Sequence, residues 1–85
     1  MPLFVIERNF ADQLEMTKED SDQVVAINSD VGVSWLFSFL SADKKKTYCL
    51  YEAPNPDAIR EAAKRANIPA DVIIEVSELR PEQFA

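Results

Sequence analysis

The sequence predicts an α+β domain, with a four-stranded antiparallel sheet and two helices on one of its faces. Three observations carry that reading. Val33 to Ala53 holds two strand-like segments joined by the short turn Ala42-Asp43-Lys44. Asn55-Pro56-Asp57 opens a helix that Asn67-Ile68-Pro69 closes. Apolar runs near both ends, Leu3 to Glu7 and Val72 to Leu79, supply further strands.

Leu3 to Glu7 is apolar until its end and reads as the first strand. Phe10 to Asp20 is mixed and polar and reads as a surface loop. A helix follows, from near Thr17 or Ser21 to about Asp30. Thr17 and Asp20 have the spacing of a capping box, although the third residue of that motif is usually Glu or Gln. Val24, Ile27 and Val31 recur at helical spacing, and Val25 widens the stripe.

The hairpin comes next. Val33, Trp35, Phe37 and Phe39 are expected on one face of its first strand, with Leu36 and Leu40 on the other. On its second strand Thr47, Cys49 and Tyr51 alternate with Tyr48 and Leu50. Asn55 then suits a helix N-cap, Pro56 the first helical position, and Asp57 the positive helix end. Ile59, Ala62, Ala63 and Ala66 form a narrow small-residue stripe, and Glu61 can pair with Arg65 on the exposed side. Asn67 suits a left-handed stop, with Pro69 preventing continuation. Val72 to Leu79 is the last strand, and Arg80 to Ala85 a short tail carrying Phe84. The order strand, helix, strand, strand, helix, strand is the ferredoxin-like βαββαβ plan, and residues 1–85 form one such domain.

A half-solvated antiparallel sheet alternates apolar with polar residues. This hairpin is apolar on both faces, so each needs a cover. The helices cover one. Trp35, Phe37, Phe39, Cys49 and Tyr51 are expected on the other, where a second subunit or a ligand would lie. A chain of 85 residues has a thin margin of buried surface, and sharing a face with a second copy would help it.

Composition narrows the partners. Apolar residues make up 47% and charged residues 28%, as in a globular chain rather than a disordered one. The net charge is -6. That argues against a nucleic-acid backbone or an anionic membrane surface as the main partner and is compatible with a neutral or cationic ligand. Gly32 is the single glycine, so a glycine-rich phosphate cradle is excluded. Cys49 is the single cysteine, so no internal disulfide forms. Met1 to Arg8 lacks the pattern of a secretion signal, and no apolar run has the length of a membrane span. The expected location is the cytoplasm.

Several segments resemble a small bacterial ferredoxin-like family long labelled a domain of unknown function, some members of which are described as nickel-binding. The matching pieces include Glu7-Arg8-Asn9-Phe10, Gly32-Val33-Ser34-Trp35, Ser38-Phe39, Ser41-Ala42-Asp43-Lys44, and Lys46 through Pro54. Ala58-Ile59-Arg60 and the Ile68-Pro69 stop continue the set. The resemblance implies the fold derived above and a homodimer built on the open sheet face. Family members often carry a His between the Trp and the Ser-aromatic pair of the second strand. Phe37 stands there in this chain, which has no His at all. Nickel favours imidazole and other nitrogen donors, so no metal ligand is assigned.

The candidate ligand-binding residues are Trp35, Phe37, Phe39, Thr47, Cys49 and Tyr51, since aromatic walls with a few polar groups are typical of small-molecule sites. A sealed subunit contact would use the same aromatics. Cys49 reads as a small buried residue, because its expected neighbours are apolar or neutral and a reactive thiol needs a positive neighbour or a helix start. Glu7, Arg8 and Glu52 are expected near the sheet rim, solvated or paired. Asp20 and Asp22 read as a solvated helix face, and Lys44-Lys45-Lys46 as a device for solubility and strand-edge protection.

The leading expectation is a non-enzymatic protein that binds, or is regulated by, a small apolar ligand at the aromatic open face of a dimer. One alternative is a dimeric ferredoxin-like enzyme acting on a small aromatic or carbonyl compound, for which Tyr51, Glu7 and Glu52 are the nameable catalytic groups. The other is nickel binding, implied by the family alone. No cofactor can be named from these residues.

Overall fold

The computed structural model describes residues 1–84. Its elements are β1 (Leu3–Asn9), α1 (Lys18–Val31), β2 (Ser34–Leu40), β3 (Lys46–Glu52), α2 (Pro56–Ala66) and β4 (Val72–Val76), followed by a 3-10 turn at Pro81–Phe84. The strands form one antiparallel sheet in the order β2-β3-β1-β4. This is the expected βαββαβ arrangement. The last strand is shorter than its apolar run, ending at Val76 rather than Leu79. Of the tail, Phe84 is exposed and Ala85 lies outside the described residues.

Local chemistry sets the helix ends. Thr17 accepts from the Asp20 backbone N–H, and the Asp20 carboxylate accepts from the Thr17 N–H, both at 3.2 Å. The box therefore closes with Asp in place of Glu, and α1 starts at Lys18. Asp22 pairs with Lys18 at 2.9 Å on the exposed side. Gly32 ends the helix in the left-handed region at φ 81°, and the Val33 N–H reaches the Asn28 carbonyl. For α2, the Asn55 side chain accepts from the Ala58 N–H at 2.9 Å and Pro56 occupies the first turn. Asn67 takes the left-handed conformation, and the Ile68 N–H bonds to the Ala63 carbonyl.

The core lies between helices and sheet. Phe4 and Ile6 of β1, Cys49 and Tyr51 of β3, and Ile59 and Ala62 of α2 are all buried there. Register explains the grouping. Phe4 pairs with Tyr51, Ile6 with Cys49, and Arg8 with Thr47, so these six side chains share the helix-covered face. The small Ala62 and Ala63 of α2 are buried, and α2 packs side by side with α1.

This overturns one expectation. Thr47, Cys49 and Tyr51 face the helices, not the open side. Trp35 joins them, because a β-bulge between Trp35 and Phe37 makes Leu36 an extra residue and shifts the phase of the strand. Trp35 pairs with Tyr51, whereas Phe37 pairs with Leu50 and Phe39 with Tyr48. Only Phe37 and Phe39 of the six candidates lie on the uncovered face, at 51% and 67% exposure. Tyr48, Val72 and Ile74 are exposed there too. The open face is therefore apolar as expected, but with different members.

Candidate site between the sheet and the first loop

A cavity of about 140 Å³ lies on the helix-covered side of the sheet. The strands make its floor, with Arg8 from β1, Trp35, Ser38 and Leu40 from β2, and Thr47, Cys49 and Tyr51 from β3. Phe10, Leu14 and Met16 form a wall from the β1–α1 loop. Val24 of α1 and Ile68, just after α2, complete it.

The segment read as a plain surface loop thus has a structural task. Its backbone is tied to the β2–β3 turn. The Phe10 N–H donates to the Lys45 carbonyl at 2.8 Å, and the Leu14 N–H to the Lys44 carbonyl at 2.7 Å. The lysine run serves through its carbonyls as well as its charges. The turn itself is braced by Asp43, whose carboxylate accepts from the Ser41 hydroxyl at 2.7 Å and the Lys45 N–H at 3.0 Å. The Ser41 bond, then the Lys45 N–H, hold the Asp43 carboxyl below the usual range.

Few polar groups reach the cavity, and most have partners. The Trp35 indole N–H donates to the Ser38 hydroxyl at 2.8 Å. The Cys49 thiol lies 3.6 Å from the Thr47 hydroxyl. Asn28 is buried on α1 and its amide donates to the Tyr51 hydroxyl at 3.3 Å, leaving that hydroxyl's own hydrogen available. Burial pushes the Tyr51 phenol up; the bond from Asn28 and the nearby Arg8 charge work against that.

Arg8 is the residue the sequence placed worst. It is 3% exposed, not at the rim. Its Nη1 donates to the Pro69 carbonyl at 2.5 Å, and its guanidinium carbon lies 5.7 Å from the centre of the Tyr51 ring. The period-2 pattern of β1 was the available signal, since Phe4, Ile6 and Arg8 fall on one face. A charged residue at the end of an apolar strand normally reads as the point where the strand meets water.

The structure therefore brings Trp35, Thr47, Cys49 and Tyr51 together around one cavity and leaves Phe37 and Phe39 on the opposite face. Glu7 and Glu52 also lie on that opposite face, Glu7 in an ion pair with Lys46. Of the three nameable catalytic groups, only Tyr51 lines the cavity.

A family model described as nickel responsive protein SCO4226-like matches residues 4–76. The chain belongs to this family. The resemblance read from its segments holds, and the SCO4226-like match spans every element from β1 to β4. Among solved structures, the crystal structure of SCO4226 from Streptomyces coelicolor A3(2) superposes with a TM-score of 0.78. The two chains are 21% identical, over 92% of this chain and 99% of that one, which supports the shared fold. No curated protein matches the chain.

The donors present do not suit nickel. The chain has no His. Among the described residues, no three His, Cys, Asp or Glu side chains gather where one ion could be held. Cys49 has Thr47 and apolar groups for company rather than carboxylates. Among the described residues, no helix is long and apolar enough to cross a membrane.

Proposed function

We propose that this SCO4226-like protein binds a small, mainly apolar molecule in the cavity between its sheet and the β1–α1 loop. The observation that carries the reading is the cavity's make-up. Trp35, Leu14 and Leu40 give it apolar walls, and Arg8, Thr47 and Tyr51 give it a few fixed polar groups, the usual composition of a small-molecule site. Its volume is close to that of an engineered cavity of about 150 Å³ that accepts benzene, so one ring or a short branched chain would fill it. No catalytic step is assigned, because among the described residues no carboxylate or imidazole lines the cavity beside Tyr51.

Trp35 is the single tryptophan and lies in the wall, so it reports occupancy directly. Titration with benzyl alcohol should change its emission saturably. A linear, unsaturable response up to the solubility limit would remove the proposal.

A second copy is the proposed cover for the open face. Phe37, Phe39, Tyr48, Val72 and Ile74 leave exposed apolar side chains on that face, and contiguous exposed apolar patches mark interaction sites. Glu7 and Lys46 neutralise each other there, which lowers the repulsion between two acidic chains meeting on this face. An isologous dimer would bring the same sheet face of both copies together about a two-fold axis.

A further inference from the structure

We infer that the ligand is an anion, a small aromatic or short aliphatic carboxylic acid whose carboxylate is held by Arg8. The inference rests on the cavity being the binding site and names the chemical class that enters it.

Arginine stays charged in proteins and offers five N–H donors. Arg8 is 3% exposed, its Nη1 donates to the Pro69 carbonyl, and its guanidinium lies beside the Tyr51 side chain. No carboxylate among the described residues lies within 4 Å of it. Buried charges are normally paired, and here the acidic residues close in sequence or space are engaged elsewhere. Glu7, next along β1, points to the opposite face and pairs with Lys46. Asp71 accepts from the Asn9 backbone N–H at 2.7 Å. The Tyr51 ring face stabilises the cation but cannot neutralise it.

Arg8 is one of the residues that line the cavity, and no carboxylate among the described residues faces it there. A carboxylate there would meet a fork of donors suited to bidentate binding. The Tyr51 hydroxyl, whose oxygen is already occupied by Asn28, has a hydrogen left to donate. The ring or alkyl body would then lie against Trp35, Leu14 and Leu40. The net charge of -6 alone favours neutral or cationic partners; the buried local charge decides otherwise at this site.

Benzoate, benzyl alcohol and benzylamine share one ring and differ in charge, so the wild-type protein alone can test the inference through Trp35 emission. Benzoate should bind at least about tenfold more tightly than benzyl alcohol, with benzylamine weakest. In Arg8→Lys that advantage should shrink, and in Arg8→Gln it should vanish. Equal affinity for benzoate and benzyl alcohol would overturn the carboxylate assignment while leaving the cavity as a binding site. Saturable binding of none of the three would overturn both. Should Arg8→Gln fail to fold, the wild-type ranking still decides.

Discussion

Replacing Val24 by Leu should stabilise the protein, and the sign of the change is what matters. Val24 is buried on α1, and its side chain forms part of the cavity wall. Leu adds one methylene beside a space of about 140 Å³. Burying a CH₂ is worth roughly 0.8 kcal/mol. Leu is also the better helix former, by a few tenths of a kcal/mol. The sum is about 1 kcal/mol, which in a domain of this size raises Tm by about 4–8 °C. A close-packed interior would respond the other way, because overpacking costs about 1–3 kcal/mol. Urea denaturation followed by Trp35 emission measures the difference. The same variant should bind benzyl alcohol more weakly, since less space remains. A loss of about 1 kcal/mol or more, with the benzyl alcohol response intact, would refute the claim that this wall borders fillable space.

Other perturbations test other parts of the structure. Gly32→Ala should cost about 1–2 kcal/mol of stability by chemical denaturation; the cause is the φ of 81°, since an added Cβ would meet nothing within 4 Å. An unchanged midpoint would mean that the helix end rearranges. Tyr51→Phe should cost about 1–3 kcal/mol at neutral pH, because the buried Asn28 amide loses its acceptor. The phenol's folded pKa is raised above 10.0, first by burial. The wild-type contribution is therefore complete below that value and lost as pH rises through the folded one, and Tyr51→Phe should lack this alkaline decline. A matching decline in the variant would assign it to other groups. Phe39→Asp removes an exposed ring whose aromatic contact is the edge-on pair with Phe37, so it should cost the fold only about 0.5–1.5 kcal/mol, yet convert the proposed dimer to a monomer in sedimentation. A dimer that persists at low micromolar concentration would place the contact elsewhere.

The fold was legible because each element carries its own local signal. The Asn55-Pro56 start and Asn67 stop of α2 depend on a few neighbouring residues, as does the Thr17–Asp20 box of α1. Facing was harder to read. On β3 both sets, Thr47-Cys49-Tyr51 and Tyr48-Leu50, are apolar enough for an interior, so alternation could not choose between them. The choice is made by register with β1, where Phe4 and Ile6 bring Tyr51 and Cys49 with them. The bulge at Leu36 was hidden for a related reason. Trp35-Leu36-Phe37 is a continuous apolar run, and such a run fits more than one phase. Its length was the available hint that Trp35 and Phe37 need not share a face.

The site was partly legible. Trp35, Thr47, Cys49 and Tyr51 do line one cavity, but it lies beneath the protein's own helices and loop. Arg8 and the loop residues Phe10, Leu14 and Met16 were missed as wall groups. Their placement depends on long-range bonds, from Phe10 and Leu14 to the hairpin turn and from Arg8 to Pro69. No local pattern encodes contacts between residues so far apart in the chain.

Where a bound molecule sits is the most direct test. Intermolecular NOEs from benzyl alcohol to isotopically labelled protein would settle it. Cross-peaks to the Trp35 indole, Leu14 and Met16 are expected, with none to Phe37 or Phe39. Cross-peaks confined to Phe37, Phe39 and Ile74 would put the ligand on the uncovered face and contradict the assignment made here.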